Sequence, residues 1–525
     1  MESRSALALT MTVGLLGAGA VTGWAANVSD ASVTCVACHS AIHPGLVSDW
    51  SQSHHGTVSS AEALKKPAPQ RRVSVAQPPA GLADHAVGCA ECHTMNPDRH
   101  PDTFDHYGAR VHVVVTPEDC ATCHPTEVQQ YGQNLMSHAY GNLENNPAFH
   151  GLADTVAGSL SFADGRIALT PPSPETAAEA CLHCHGTKVE VQGTTTRSTI
   201  VGDIQVPVLS GWPNQGSGRV NPDGSRGACT ACHTRHRFSI EMARKPYTCA
   251  QCHKGPDVPA FAVYEVSKHG SIFSAMQREW NFTNVPWVVG ADLGAPTCAT
   301  CHVSMLASED GTVLTERTHQ MSDRQSWRLF GLIYGHPHPR SPDTTTARNS
   351  TGQSLPTELT GEPVADYVIG PEEQATRRAN MTKVCAACHD GGVIAEHFAR
   401  LDNTIGTTNQ ATLAATQIVL EAWARGLADT QSPFNEAIEK RWVEQWLFYA
   451  NSTRFASAMG GADYGVFASG RWYLTRNAEE MAEWLRQHQT PPATASRPEA
   501  PPSQVPHTPA RLRLGPNHQG LPDGR

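Results

Sequence analysis

The clearest alternation of apolar and polar positions lies near the C-terminal end of the chain. Phe434, Ile438, Trp442 and Trp446 recur at four-residue steps, with Val443 and Leu447 beside them. That spacing marks one apolar face of a helix. Ser432-Pro433 stands just before it, with proline suited to a first helical turn, so the pattern predicts a helix starting there. Asn477 and Glu480 have the spacing of a capping box ahead of Met481, Trp484 and Leu485. About three helices are expected from Ala411 to His488. At the other end an apolar run from Ala6 to Ala20 follows Arg4 and leads to Gly23-Trp24-Ala25. It reads as a secretory signal peptide over residues 1–25, too short for a membrane span. Between these ends no period is sustained, so only short helices are expected. A Pro-, Thr- and Gly-rich segment from Arg340 to Pro363 reads as an inserted surface loop. Residues 490–525, rich in Pro, Ala, Ser and Thr, bury too little apolar area to offset their ordering entropy and read as a disordered tail.

The aperiodic stretch is punctuated by cysteine. Cys35/Cys38-His39, Cys89/Cys92-His93, Cys120/Cys123-His124 and Cys181/Cys184-His185 each form Cys-x-x-Cys-His. Cys229/Cys232-His233, Cys249/Cys252-His253, Cys298/Cys301-His302 and Cys385/Cys388-His389 do the same. These eight copies use all 16 cysteines. The pattern is the attachment signature of a c-type haem. Two thiols add across the porphyrin vinyl groups, and the adjacent imidazole becomes an axial ligand of the iron. A zinc site would not require His after every pair, and a disulfide framework would not fix that spacing eight times. The sequence therefore predicts eight covalently bound c-type haems. Porphyrins then supply much of the apolar interior. The expected fold is a mainly α multihaem cytochrome c with little β structure. A haem-packed core over residues 26–406 precedes a C-terminal helical region over 407–489.

Charge adds an exclusion. The formal net charge is -10 before any haem propionate is counted, which disfavours nucleic acid as a partner. Haem c is attached outside the cytoplasm, so the signal and the motifs together predict a periplasmic protein with a periplasmic or membrane-bound redox partner.

Eight motif histidines serve as proximal ligands, leaving 19 of the 27 histidines. Local context ranks His55, His106, His138, His236, His269 and His319 as distal ligands. His236 lies three residues after His233 and cannot readily serve the same iron. His112 competes with His106, and His43, His85 and His397 compete for a further place.

Several stretches resemble the octahaem hydroxylamine oxidoreductase family. They are Cys229 to His236, Arg244-Lys245-Pro246, Cys249 to His253, Tyr264, Ser267 to Gly270, Ala295 to His302 and Thr318-His319. The resemblance spans Cys35 to His389 in motif order. It implies that the haem of the fourth motif, carried by His185, is catalytic, and that seven bis-histidine haems relay electrons. It implies a role for Asp257 above that iron, while Val258 and Phe330 stand where the family has a distal His and Tyr. Tyr334 is near but displaced. It makes Tyr464 the candidate for a tyrosine link to the catalytic haem, with Val466 the alternative under a two-residue shift. A homotrimer is a possible assembly. The expected substrate is a small nitrogen oxyanion or amine. The reaction is nitrite or hydroxylamine reduction, or hydroxylamine or hydrazine oxidation, with reduction favoured by the lost residues. The competing reading is a non-catalytic multihaem electron-transfer protein. A sulfur oxyanion reductase is a third, weakened because no lysine replaces a motif histidine.

Overall fold

The computed structural model describes residues 26–199, 202–430 and 433–488. The expected signal and tail lie outside the described residues. Among the described residues helix accounts for 48% and strand for 12%, the strands forming four two-stranded sheets and one three-stranded sheet. This is a mainly α architecture. No helix among the described residues is long and apolar enough to cross a membrane.

Much of the motif region is built from short helices, several of them single turns at a cysteine pair. Cys89–His93, Cys181–His185 and Cys298–His302 are five-residue helices. The first motif lies within the longer helix Asp30–Ile42, and Pro371–Ala386 carries Cys385 at its end. The first two motifs are tied together by one carboxylate. Glu91 accepts from the Gly88 amide at 2.9 Å and from the Ser32 hydroxyl at 2.6 Å, and it also bonds Ser29. Ser32 in turn accepts from the Ala90 amide at 2.9 Å. A two-stranded arm, Glu190–Thr199 paired with Gly202–Ser210, follows the fourth motif. Tyr107 and Thr199 hydroxyls meet at 2.6 Å and hold its tip.

The C-terminal helices follow from the apolar stripe, with changed boundaries. The first runs from Gly391 to Ala424, starting well before Ala411 and crossing the expected boundary at 406/407. Asp390 caps it by accepting from the Gly392 and Val393 amides at 2.8 and 3.3 Å. Its buried line Ile394, Leu401, Ile405, Thr408, Thr412, Ala415, Val419 and Ala422 steps by threes, fours and one seven. The threonines are accommodated because each hydroxyl donates one turn back, Thr412 to the Thr408 carbonyl and Thr416 to the Thr412 carbonyl, both at 2.9 Å. The next helix starts at Ala437, capped by Glu436, not at Pro433; Ser432 lies outside the described residues. Phe434 instead sits in the preceding turn and stacks on Trp442, centroids 6.3 Å apart. The last helix, Arg471–Gln487, contains Asn477 in its interior. Asn477 is no cap: it is buried and donates to the Arg441 carbonyl and to Gln445, both at 2.8 Å.

The segment from Arg340 to Pro363 is also not a simple surface loop. Leu355 joins the core formed by Trp442, Trp446, Val419 and Met481. Thr344, Asn349 and Thr357 are buried. Local bonds such as Asn349 to Gln353 at 2.9 Å satisfy some of these polar groups, while the buried hydroxyls of Thr344 and Thr357 have no partner.

Candidate haem sites

Spacing i, i+3, i+4 puts both sulfurs and the imidazole of a motif on one side of a helical turn. The turns close as required, with the amides of His124, His233, His253 and His389 donating to Cys120, Cys229, Cys249 and Cys385 carbonyls at 2.8–3.0 Å. Three motif histidines also have their Nδ1 fixed by a carbonyl. His93 meets the His112 carbonyl at 2.9 Å, His185 the Ala139 carbonyl at 3.3 Å and His302 the Met321 carbonyl at 3.4 Å. Donating Nδ1–H this way sets the tautomer that leaves Nε2 for a metal. The turn after His185 needs glycine. Gly186 has φ +94°, and a Cβ there would lie 2.3 Å from the Arg219 amide nitrogen.

Seven motifs surround one continuous cavity of about 3110 Å³. Both cysteines and the histidine of the first, second, third, fifth, sixth, seventh and eighth motifs line it; Cys181, Cys184 and His185 do not. Sulfur neighbours define the order of the motifs in space. The thiols of Cys120 and Cys229, Cys184 and Cys252, and Cys249 and Cys298 lie side by side. Cys35 and Cys89, Cys92 and Cys123, Cys232 and Cys249, and Cys301 and Cys385 are within electrostatic reach of each other. The motifs therefore form a run, first-second-third-fifth-sixth-seventh-eighth, and the fourth branches from the sixth.

Histidines from distant parts of the chain face the motif rings across this cavity. A metal–imidazole bond of about 2.0–2.1 Å on each side, plus the ring radii, places the centroids of two axial imidazoles roughly 6 Å apart. His39 and His106 are 6.2 Å apart, His124 and His55 6.3 Å, and His93 and His236 6.5 Å. His233 and His319 are 6.4 Å apart, and His389 and His269 6.1 Å. Buried Nδ1 atoms of His55, His106, His236 and His319 have no hydrogen-bond partner. Burial pushes His55, His233, His236, His302 and His319 down to about 4, so the rings are neutral and keep a lone pair. The cavity, ring pairs and unpartnered nitrogens fit porphyrin iron, which supplies electron storage and an axial coordination position when bound.

His138 is placed differently. Its Nε2 lies 3.1 Å from the Gly132 carbonyl, and it is not stacked across from any motif ring. It immediately precedes Ala139, the residue that fixes His185. His112 also lies 6.1 Å from the His93 ring, but its nitrogens are engaged elsewhere, 3.0 and 3.3 Å from the Met95 and Val114 carbonyls. It stacks on His100 at 3.7 Å. His100 bridges Asp102 at 3.3 Å and Asp119 at 3.2 Å. Burial opposes its charge, but hydrogen bonds to the two carboxylates prevail and raise it to about 9. His100, Asp102 and His112 have metal-ligand spacing, but hydrogen bonds already occupy their donor atoms. This buried hub was not singled out in the sequence, where its members are spread over 20 residues without a motif.

Around His185 the structure gathers residues from three parts of the chain. Asp257, exposed on the loop after the sixth motif, is within electrostatic reach of Cys181, Cys184, His185 and His253. Its carbonyl accepts from Asn451 at 2.8 Å. Asn451 also accepts from the fully buried Arg454 at 2.7 Å. Arg454 reaches Asn409 at 2.9 Å, and Asn409 brackets Gly335 with bonds of 3.0 and 2.8 Å. The C-terminal helices thereby fix both the Asp257 loop and the segment Gly335-His336-Pro337-His338. Val258, Arg328, Phe330 and His338 line the cavity. Phe330 stacks on Phe455 at 5.9 Å, and Arg328 lies 5.1 Å over Phe330. Tyr334 is buried in the helical core, donating to the Leu359 carbonyl at 2.8 Å, and takes no part. Tyr464 is not among the residues lining the cavity of its own chain. Arg328, His338 and Arg454 were missed by sequence reasoning; the alternation His336-Pro337-His338-Pro339 was the available signal.

Comparison with known proteins agrees with this geometry. Residues 220–319 match the family described as seven times multi-haem cytochrome CxxCH, and residues 119–205 match cytochrome c554 and c-prime. A solved structure titled hypothetical multiheme protein is 41% identical, with TM-score 0.82, over 88% of this chain and 96% of that one. The fold and the motif histidines define a multihaem cytochrome c with covalently bound haem iron. A Kuenenia stuttgartiensis reducing HAO-like protein complex shares the fold at 18% identity and TM-score 0.55, over 87% of this chain and 85% of that one. A probable nitrite reductase-hydroxylamine oxidoreductase fusion protein from Kuenenia stuttgartiensis is 24% identical over 285 residues. That match covers 51% of this chain but only 25% of the fusion protein. The chain belongs with the multihaem cytochromes c.

Proposed function

We propose that this chain is a periplasmic octahaem c-type cytochrome that reduces a small nitrogen compound, nitrite or hydroxylamine, at the haem of the fourth motif. The carrying observation is that this motif alone branches from the run of the other seven, joining it through the neighbouring thiols of Cys184 and Cys252. A terminal position suits a site that exchanges electrons with substrate, and an unbroken run suits relay. Five facing histidine pairs, from His39–His106 to His389–His269, supply relay haems with two strong ligands. Such ligation tunes potential and excludes substrate.

The chain's residues have separable tasks at the fourth motif. The Ala139 carbonyl orients His185 through Nδ1. Asp257 provides a carboxylate within electrostatic reach of that ring for proton exchange, and Asn451 fixes its loop. Phe330 and Val258, at the places of reactive side chains in oxidising relatives, make the wall apolar. That loss of proton acceptors favours reduction over oxidation.

The test is spectroscopy of the full-length, haem-loaded protein. Reduction in the presence of carbon monoxide should yield one binding equivalent per chain, and intact mass should correspond to eight haems. Eight low-spin haems that bind no carbon monoxide would leave only electron transfer as the function. Steady-state rates with nitrite, hydroxylamine and hydrazine then fix the direction.

A further inference from the structure

Arg328 carries a charge for which the fold provides no counter-charge. Its Nε donates to the Phe330 carbonyl at 3.1 Å and its guanidinium lies over the Phe330 ring. Among the described residues, neither Arg328 nor the neighbouring Arg454 forms an ion pair with a carboxylate. Arg454 is fully buried and its Nε has no hydrogen-bond partner. Desolvation lowers both guanidiniums, Arg454 to about 9. His336 and His338, both buried, complete this wall, and each has its Nδ1 committed to the carbonyl of the following proline. A desolvated guanidinium without an anion is costly. It is tolerated where an anion enters.

Arg328 and His338 line the shared cavity, and Arg328 also lies within electrostatic reach of the fourth motif. Arg328 is close enough to His185 to oppose its protonation. Asn142, on the helix that begins at the residue fixing His185, donates to the Pro342 carbonyl and accepts from the Thr344 amide, both at 2.9 Å. The segment after His338 is therefore fastened to the His185 support. Guanidinium offers two parallel N–H donors that match the two oxygens of a planar oxyanion. A neutral amine offers no such complement.

We propose that Arg328 is an oxyanion-binding residue at the fourth motif and selects an anionic substrate over a neutral amine. This rests on the reading that the haem there is open to substrate. The same carboxylate-like chemistry has two sources, a free oxyanion or a propionate of that haem, and the two separate experimentally. Haem-loaded full-length protein, wild type, Arg328→Gln and Arg328→Lys, is titrated with nitrite and with hydroxylamine while the high-spin absorption is followed. Carbon monoxide binding is the control. Arg328→Gln should raise the nitrite dissociation constant at least tenfold, about 1.4 kcal/mol, and change hydroxylamine and carbon monoxide binding by less than twofold. Arg328→Lys, which keeps the charge without the fork, should lie between. Unchanged nitrite affinity with a shifted haem reduction potential would assign Arg328 to a propionate and overturn the proposal. Equal weakening of both ligands would also overturn it. If wild type binds no carbon monoxide, the open haem itself fails, and the subsite with it.

Discussion

His319 shows how much one side chain decides here. It opposes His233 at 6.4 Å, with Nδ1 buried and unpartnered. Removing it should open one iron without touching the thioether attachment. His319→Gly is expected to convert one low-spin haem to high spin, raising the carbon monoxide equivalents by one at unchanged haem content; electron paramagnetic resonance and gas titration check this. His100 gives a pH prediction. Its folded-state value of about 9 lies above the 6.5 of an unperturbed histidine. Its stabilisation is therefore fully present below pH 6.5 and is lost as pH rises through about 9. The loss is on the order of 3 kcal/mol. Denaturant midpoints between pH 6 and 9.5 should fall for wild type. His100→Gln should start lower and be nearly flat over that window.

At the scale of elements, the C-terminal helices act as a clamp as well as a core. Trp442 is buried between Phe434, Trp423 and Trp446, and its Nε1 donates to Thr416 at 2.9 Å. Trp442→Ala should cost about 3–5 kcal/mol, read as a lower denaturant midpoint. Asn451 links the same helices to the Asp257 carbonyl at 2.8 Å. Asn451→Leu releases the loop without altering Asp257 itself. It should lower turnover with nitrite several-fold and leave carbon monoxide binding intact. The same loss in carbon monoxide binding would show that the helix holds the haem rather than the loop.

Across the whole molecule, seven motifs share one cavity and the fourth leaves the run at the sixth. In the proposed relay, electrons entering anywhere on the run would reach the fourth motif through the sixth. Changing the sixth haem's ligation by His253→Met should therefore slow reduction of the fourth haem in stopped-flow experiments. Electron equilibration among the first, second and third haems should keep its wild-type rate.

The motif count, the haem chemistry and the mainly α class were legible in the sequence because covalent attachment demands contiguous residues. Cys-x-x-Cys-His is a local code, and the stripe through Ile438, Trp442 and Trp446 is a local period. Helix ends were less legible. The Gly391–Ala424 helix begins beside the eighth motif because Asp390 caps it, and its polar threonines hide the apolar face. The buried loop around Leu355 was misread because its composition is polar and the residues that go inside, such as Leu355 and Asn349, recur with no period. What only tertiary structure decided is which histidine faces which iron position, and what stands beside His185. Those contacts join residues such as His93 with His236, or Asp257 with Asn451, over separations that carry no periodic signal. Proximal ligation is fixed by sequence neighbours, whereas distal ligation and the charge around the fourth motif arise when distant segments close around the shared cavity.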